Sequence, residues 1–129
     1  LIIPGGFGVI QNLCKWDAKT GNCDFNKNVK QFLLTFIMKK KPAGFICIAP
    51  VMLPHLIKNT YLTIGNDNNL IKLLEKQGAQ HKLCQSNEIV VDHNNKIVTT
   101  PANMLKAELS EIYLGINKLV KKLVTLCNN

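Results

Sequence analysis

Arginine is absent from this chain, and all sixteen basic residues are lysines. Base-edge recognition relies on the rigid guanidinium fork, which a lysine cannot supply. The lysines are also spread along helical patterns, as at Lys118, Lys121 and Lys122, not gathered beside aromatic platforms. The net charge of +8 therefore reads as a solvated lysine-rich face, and nucleic-acid binding is the weakest functional reading. Cysteine pairs at ligand spacing are missing too. Cys14, Cys23, Cys47, Cys84 and Cys127 are odd in number and irregularly spaced, a poor disulfide framework, and none is two residues from another as in a zinc knuckle. No metal site is expected, and a reducing compartment follows, with the cytoplasm as its default. The N-terminal stretch has neither the basic region nor the long apolar core of a signal peptide. The longest apolar stretch, Gly44 to Leu53, is too short and too proline-marked to span a membrane.

What is present suits one globular domain over residues 1–129. The apolar fraction is 47 % and the charged fraction 19 %, enough apolar surface for one core and too little charge for disorder. Leu1-Ile2-Ile3 reads as a buried parallel strand ending at Pro4-Gly5-Gly6. A central strand that opens a chain implies that leading elements are missing. Asp24 is placed to cap a helix carrying Val29, Phe32, Leu33, Phe36 and Ile37, with Lys39, Lys40 and Lys41 in its last turn and Pro42 after it. Ala43 to Ile46 reads as a second buried strand, and Ile48 onward as a helix tolerating Pro50 in its first turn, with Pro54 kinking it.

Leu62-Thr63-Ile64-Gly65 is strand-like, Asp67 caps a helix bearing Leu70, Leu73 and Leu74, and Gly78 suits a left-handed C-cap. Two β-rich runs flank Asn94-Asn95, a two-residue hairpin turn. Thr100-Pro101 resembles a helix start. Beyond it Leu105, Leu109, Ile112, Ile116, Leu119, Leu123 and Leu126 form a core-facing stripe. Strand and helix alternate, which predicts an α/β fold with a mostly parallel sheet, helices on both faces and a small β-hairpin.

Cys47 is the candidate nucleophile. It falls between a buried strand and a helix start, where a sharp turn thrusts a side chain out of the sheet edge and helix N–H groups favour a thiolate. An inert cysteine in an apolar strand fits the same position. The Gly5-Gly6-Phe7-Gly8 run offers backbone amides for an oxyanion; a phosphate-cradling loop and a plain tight turn are the competing readings, although dinucleotide spacing and a P-loop lysine are both absent. No base is visible beside Cys47. His55, His81 and His93 read as surface histidines, Asp92 as a turn residue, and Glu75, Glu88, Glu108 and Glu111 belong to helices or the hairpin.

Pro4-Gly5-Gly6-Phe7-Gly8, Gly44-Phe45-Ile46-Cys47-Ile48-Ala49-Pro50, Leu62-Thr63-Ile64-Gly65 and Ile97-Val98-Thr99-Thr100-Pro101-Ala102 occur in the order seen in ElbB proteins. These form the enhancing-lycopene-biosynthesis branch of the class I glutamine amidotransferase-like superfamily, which also holds the PfpI proteases. The resemblance runs through nearly the whole chain and implies a flavodoxin-like sandwich lacking its first elements. It implies Cys47 at a nucleophile elbow and Gly5, Gly6 and Ile48 at the oxyanion and substrate site. It further implies a cofactor-free glyoxalase-like enzyme turning glyoxal or methylglyoxal into a hydroxy acid, linked by family name to isoprenoid biosynthesis. In such proteins a glutamate from an early segment serves as acid and base, and that segment would precede Leu1. The expected partner is a small dicarbonyl substrate, with no nucleic acid, no membrane and a homodimer as an allowed assembly. The alternative is a non-enzymatic fragment in which Cys47 is an oxidation-sensitive thiol.

Overall fold

The computed structural model describes all residues from Leu1 to Asn129. Six strands and four α-helices follow along the chain: β1 (Ile2–Ile3), α1 (Phe7–Cys14), α2 (Lys27–Met38), β2 (Ala43–Ile46), β3 (Tyr61–Leu62), α3 (Asn68–Lys76), β4 (Gln80–His81), β5 (Val90–Asp92), β6 (Ile97–Thr100) and α4 (Leu109–Cys127). The main sheet has the order β1-β2-β6-β5, parallel except for the β5–β6 hairpin, and β3 pairs with β4 in a separate two-stranded parallel sheet. Alternating side chains on β2 and β6 feed two cores. Ala43, Phe45 and Ile97 join a large cluster with α1, α2 and α3, while Val98 joins Leu119, Leu123 and Leu126 of α4. Gly44 lies on the α4 side, where an added Cβ would come within 2.8 Å of Leu119 and Leu123 side chains, so the missing side chain is what lets α4 sit close.

The α/β class, the parallel sheet and the helices on both faces match the sequence reading. Several details differ. β1 is an edge strand, not a central one, and Ile2 is 40 % exposed. Residues 7–14 form a helix that the sequence reading did not include. The cap of α2 is Asn26, whose side chain accepts the N–H groups of Asn28 and Val29; Asp24 is instead held outside the helix by its own N–H, which donates to the Cys14 carbonyl. α2 ends at Met38, so Lys39 to Lys41 follow the last turn instead of forming it.

The segment after Cys47 is a 3-10 helix (Ala49–His55), with Pro50 at its start and Pro54 inside. The hairpin connection is four residues, and Lys96, not an asparagine, takes the positive φ of 53°. Thr100 is the last residue of β6. α4 begins only at Leu109, where Glu108 and Glu111 form a capping box, so Leu105 and Leu109 lie outside the buried stripe. Leu109 is 80 % exposed. Asp67 and Gly78 cap α3 as expected, Gly78 at a φ of 101°.

Candidate functional site

β2 delivers Cys47 to the carboxyl edge of the sheet. Its N–H still donates to the Thr100 carbonyl at 3.1 Å, as though the ladder continued, but its φ is +60°. A β-carbon is crowded in that region, so a non-glycine residue there is strained and persists only where its surroundings fix it. Reversal of direction inside one residue is what an elbow requires, because the side chain then leaves the sheet while Ile48 turns inward. Ile48 is buried, and Cys47 is half-buried.

Gly5 is pressed against that elbow. A Cβ on Gly5 would lie 2.4 Å from Cys47 Cβ, 3.1 Å from the Ile46 carbonyl oxygen and 3.2 Å from Cys47 Sγ. No residue but glycine fits. Gly6 follows with φ 109° and ψ 142°, again outside the range of ordinary side chains, and opens α1. The N–H groups of Gly5, Gly6 and Ile48 donate to no oxygen of the chain. Donors left without partners beside a half-exposed thiol are suited to a developing oxyanion.

A cavity of about 370 Å³ lies next to the elbow, lined by Ile48 together with Phe7, Trp16, Ala18, Lys19, Asp67, Asn69, Leu70, Leu73 and Met104. Cys47 is not part of that lining. Trp16 is a buried residue whose indole N–H finds no acceptor in the chain. Asp67 is the carboxylate of this cavity, and its Oδ1 already accepts the N–H groups of Asn69 (2.9 Å) and Leu70 (3.2 Å). Sequence reasoning found Asp67 only as a cap and missed Trp16 and the residue 15–22 loop. A lone tryptophan in a lysine-bearing loop carries no pattern that would mark it.

The remaining candidates are placed elsewhere. His55 is half-buried: its Nε2 lies 2.8 Å from the Gly21 carbonyl and its ring packs edge-on to Phe25. His81 is half-buried and accepts the Ile64 N–H at Nε2, and burial holds it below the ordinary histidine range despite the charge of Glu75. His93 is exposed in the hairpin connection. Asp92 is buried, not a surface turn residue. Burial alone would raise its carboxyl, but hydrogen bonds from Asn95 and Thr60, joined by the Tyr61 N–H, outweigh that and hold it below the usual range. It fastens β3 to the hairpin through these bonds, three of them on Oδ2. No side chain hydrogen-bonds Cys47 Sγ. The 3-10 helix after it is too short to give the macrodipole on which the thiolate argument rested. No three His, Cys, Asp or Glu side chains are grouped so as to hold a metal ion, and no helix is long and apolar enough to cross a membrane.

No family model matches the chain. It is 37 % identical to the ES1 protein homolog, mitochondrial, of Rattus norvegicus, an alignment covering 97 % of this chain and 50 % of that protein. It is 34 % identical to the human protein named glutamine amidotransferase-like class 1 domain-containing protein 3, mitochondrial, over 97 % of this chain and 50 % of the relative. The chain thus spans about half the length of the curated relatives it matches. Among solved structures, an isoprenoid biosynthesis protein with amidotransferase-like domain from Ehrlichia chaffeensis superposes with a TM-score of 0.81 at 32 % identity, covering 97 % of this chain and 57 % of that one. Drosophila melanogaster DJ-1beta, at 14 % identity and a TM-score of 0.56, covers 98 % of this chain and 60 % of its own and shares the fold alone. The fold is the flavodoxin-like α/β sandwich of the DJ-1 and PfpI proteins, and the sequence likeness supports the class I glutamine amidotransferase-like superfamily.

Proposed function

We propose that this chain carries the nucleophile and oxyanion site of a cofactor-independent, glyoxalase-like enzyme of the ElbB branch, acting on glyoxal or methylglyoxal. The observation that carries the reading is the strained Cys47 backbone, at φ +60°, with Gly5 packed onto its side chain. In this reading the Cys47 thiolate adds to the aldehyde carbon of methylglyoxal and forms a hemithioacetal, with the Gly5, Gly6 and Ile48 amides facing the new oxyanion. Transfer of the carbon-bound proton to the neighbouring carbonyl carbon gives a thioester, and water releases lactate and the free thiol. The overall change is methylglyoxal plus water to lactic acid.

The proton shuttle is the part these 129 residues do not visibly supply. Asp67 reaches the cavity but is committed to capping α3. The resemblance to ElbB proteins assigns the shuttle to a glutamate outside this sequence, and general acid–base help is worth roughly a hundred- to ten-thousand-fold. Lactate formation from methylglyoxal should therefore be slow in this chain, rise by about that factor when an upstream glutamate-bearing segment is supplied, and vanish in Cys47→Ser. Turnover retained in Cys47→Ser overturns the proposal. A second reading, Cys47 as an oxidation-sensitive thiol without turnover, is favoured by the lack of any side chain bonded to its sulfur. It gains ground if the upstream segment adds nothing.

Compartment and assembly belong to the same reading. Free cysteines suit a reducing compartment, and the curated relatives are named as mitochondrial proteins. A reducing interior, cytoplasmic or mitochondrial, is the common ground.

A further inference from the structure

Cys14 closes α1, and Cys23 stands where the chain returns toward α2. Three ties bring the two backbones together. The Asp24 N–H donates to the Cys14 carbonyl at 2.7 Å, the Asn26 N–H donates to the Leu13 carbonyl at 3.0 Å, and Lys15 Nζ lies 4.0 Å from Asp24 Oδ2 at the surface. The loop between the cysteines is closed on itself, with the Asp17 N–H on the Asn22 carbonyl and the Gly21 N–H on the Asp17 carbonyl. Cys14 is fully buried and Cys23 is half-buried, and the two thiols are close enough to perturb each other.

We propose that Cys14 and Cys23 form a dithiol–disulfide modification site, oxidised by a peroxide and reset by an external dithiol. The hydrogen bond from Cys23 pulls the Cys14 thiol below its ordinary range against the effect of burial, while the same pairing, with burial, pushes Cys23 up. The half-exposed side of the pair, at Cys23, meets the oxidant. A sulfur of the pair attacks one peroxide oxygen and the O–O bond breaks. A sulfenic acid forms, and the departing hydroxide takes a proton and leaves as water. The second sulfur then attacks the sulfenic sulfur, the S–O bond breaks, a second water leaves and the S–S bond forms. Two thiols and one hydrogen peroxide become one disulfide and two waters.

The bond would clamp the base of the loop that carries Trp16 and Lys19, one wall of the cavity beside Ile48. This site does not depend on any chemistry at Cys47.

The test treats the full chain with equimolar hydrogen peroxide, blocks remaining thiols with iodoacetamide and digests without reductant. Trypsin cuts after Lys15, Lys19 and Lys27, so the two cysteines fall in separate peptides, Leu1–Lys15 and Thr20–Lys27. The expected product is a single linked species lighter than the two peptides together by two hydrogens, which dithiothreitol separates. Cys23→Ser, a change at the half-exposed member that should leave the fold intact by circular dichroism, should abolish the link. Recovery of both peptides separately, each alkylated at its cysteine while another cysteine is oxidised, overturns the proposal. So does linkage of Cys14 to a different cysteine.

Discussion

The two faces of the main sheet are packed unequally. On one, eighteen buried residues from β1, β2, β3, β6, α1, α2, α3, the 3-10 helix and the segments beside them form a continuous core. On the other, α4 contributes three leucines that meet Val98 in a cluster of four. The outward side of α4 is apolar as well: Leu109, Tyr113, Val120 and Val124 recur at helical spacing and are 80, 65, 39 and 58 % exposed. The thick side holds the elbow in its strained form; the thin side is one helix resting on a glycine. Rigidity has been concentrated where Cys47 needs it.

Truncations should break this contrast first. Phe45→Ala, at a fully buried ring in the thick core, should cost about 3–5 kcal/mol in denaturant unfolding. Leu119→Ala, equally buried but under a single helix that can settle onto Gly44, should cost about 2 kcal/mol, the low end for such a change. Equal losses would show that the two faces are energetically alike despite their different sizes.

A smaller effect comes from pH. His81 has its folded-state pKa lowered by burial, so the unfolded chain binds the proton more readily. Its contribution is therefore complete above the ordinary histidine value of about 6.5 and is lost as pH falls below it. The urea midpoint should drop between about pH 7 and about pH 5, and His81→Gln, which can still accept the Ile64 N–H, should flatten that slope. The smallest change is expected on the outer side of α4, where Val124→Thr should alter stability by less than about 0.5 kcal/mol. A larger loss would mean that this side of the helix is covered in solution.

The same inequality explains what could be read from the residues. β2 and its turn into Cys47 were legible because four apolar residues bounded by Pro42 and Pro50 have few alternatives. α1 was not, since its first residues include a glycine, its N-cap Gly6 carries no side chain, and eight residues give little periodicity. Asp24 and Asn26 are comparable caps locally; the long-range bond from the Asp24 N–H to Cys14 decided between them. The α4 stripe was read two turns too early, because Leu105 and Leu109 keep the spacing although the Glu108–Glu111 box starts the helix later. Cys47 and Gly5 could be named from sequence, but their close approach is set by β1–β2 pairing, a contact across more than forty residues. The Cys14–Cys23 pair depended on a loop closure that spacing alone does not reveal.

The central claim is that Cys47, held by Gly5 at the elbow, is the thiol that meets a dicarbonyl. Protection kinetics test it most directly: the rate of iodoacetamide alkylation at each cysteine, followed by peptide mass, with increasing methylglyoxal. The account predicts saturable slowing at Cys47, an unchanged rate at the exposed Cys127, and loss of the Cys47 protection in Gly5→Ala, whose new Cβ would lie 2.4 Å from Cys47 Cβ. Equal slowing of Cys47 and Cys127, or protection that survives Gly5→Ala in a folded protein, would contradict it.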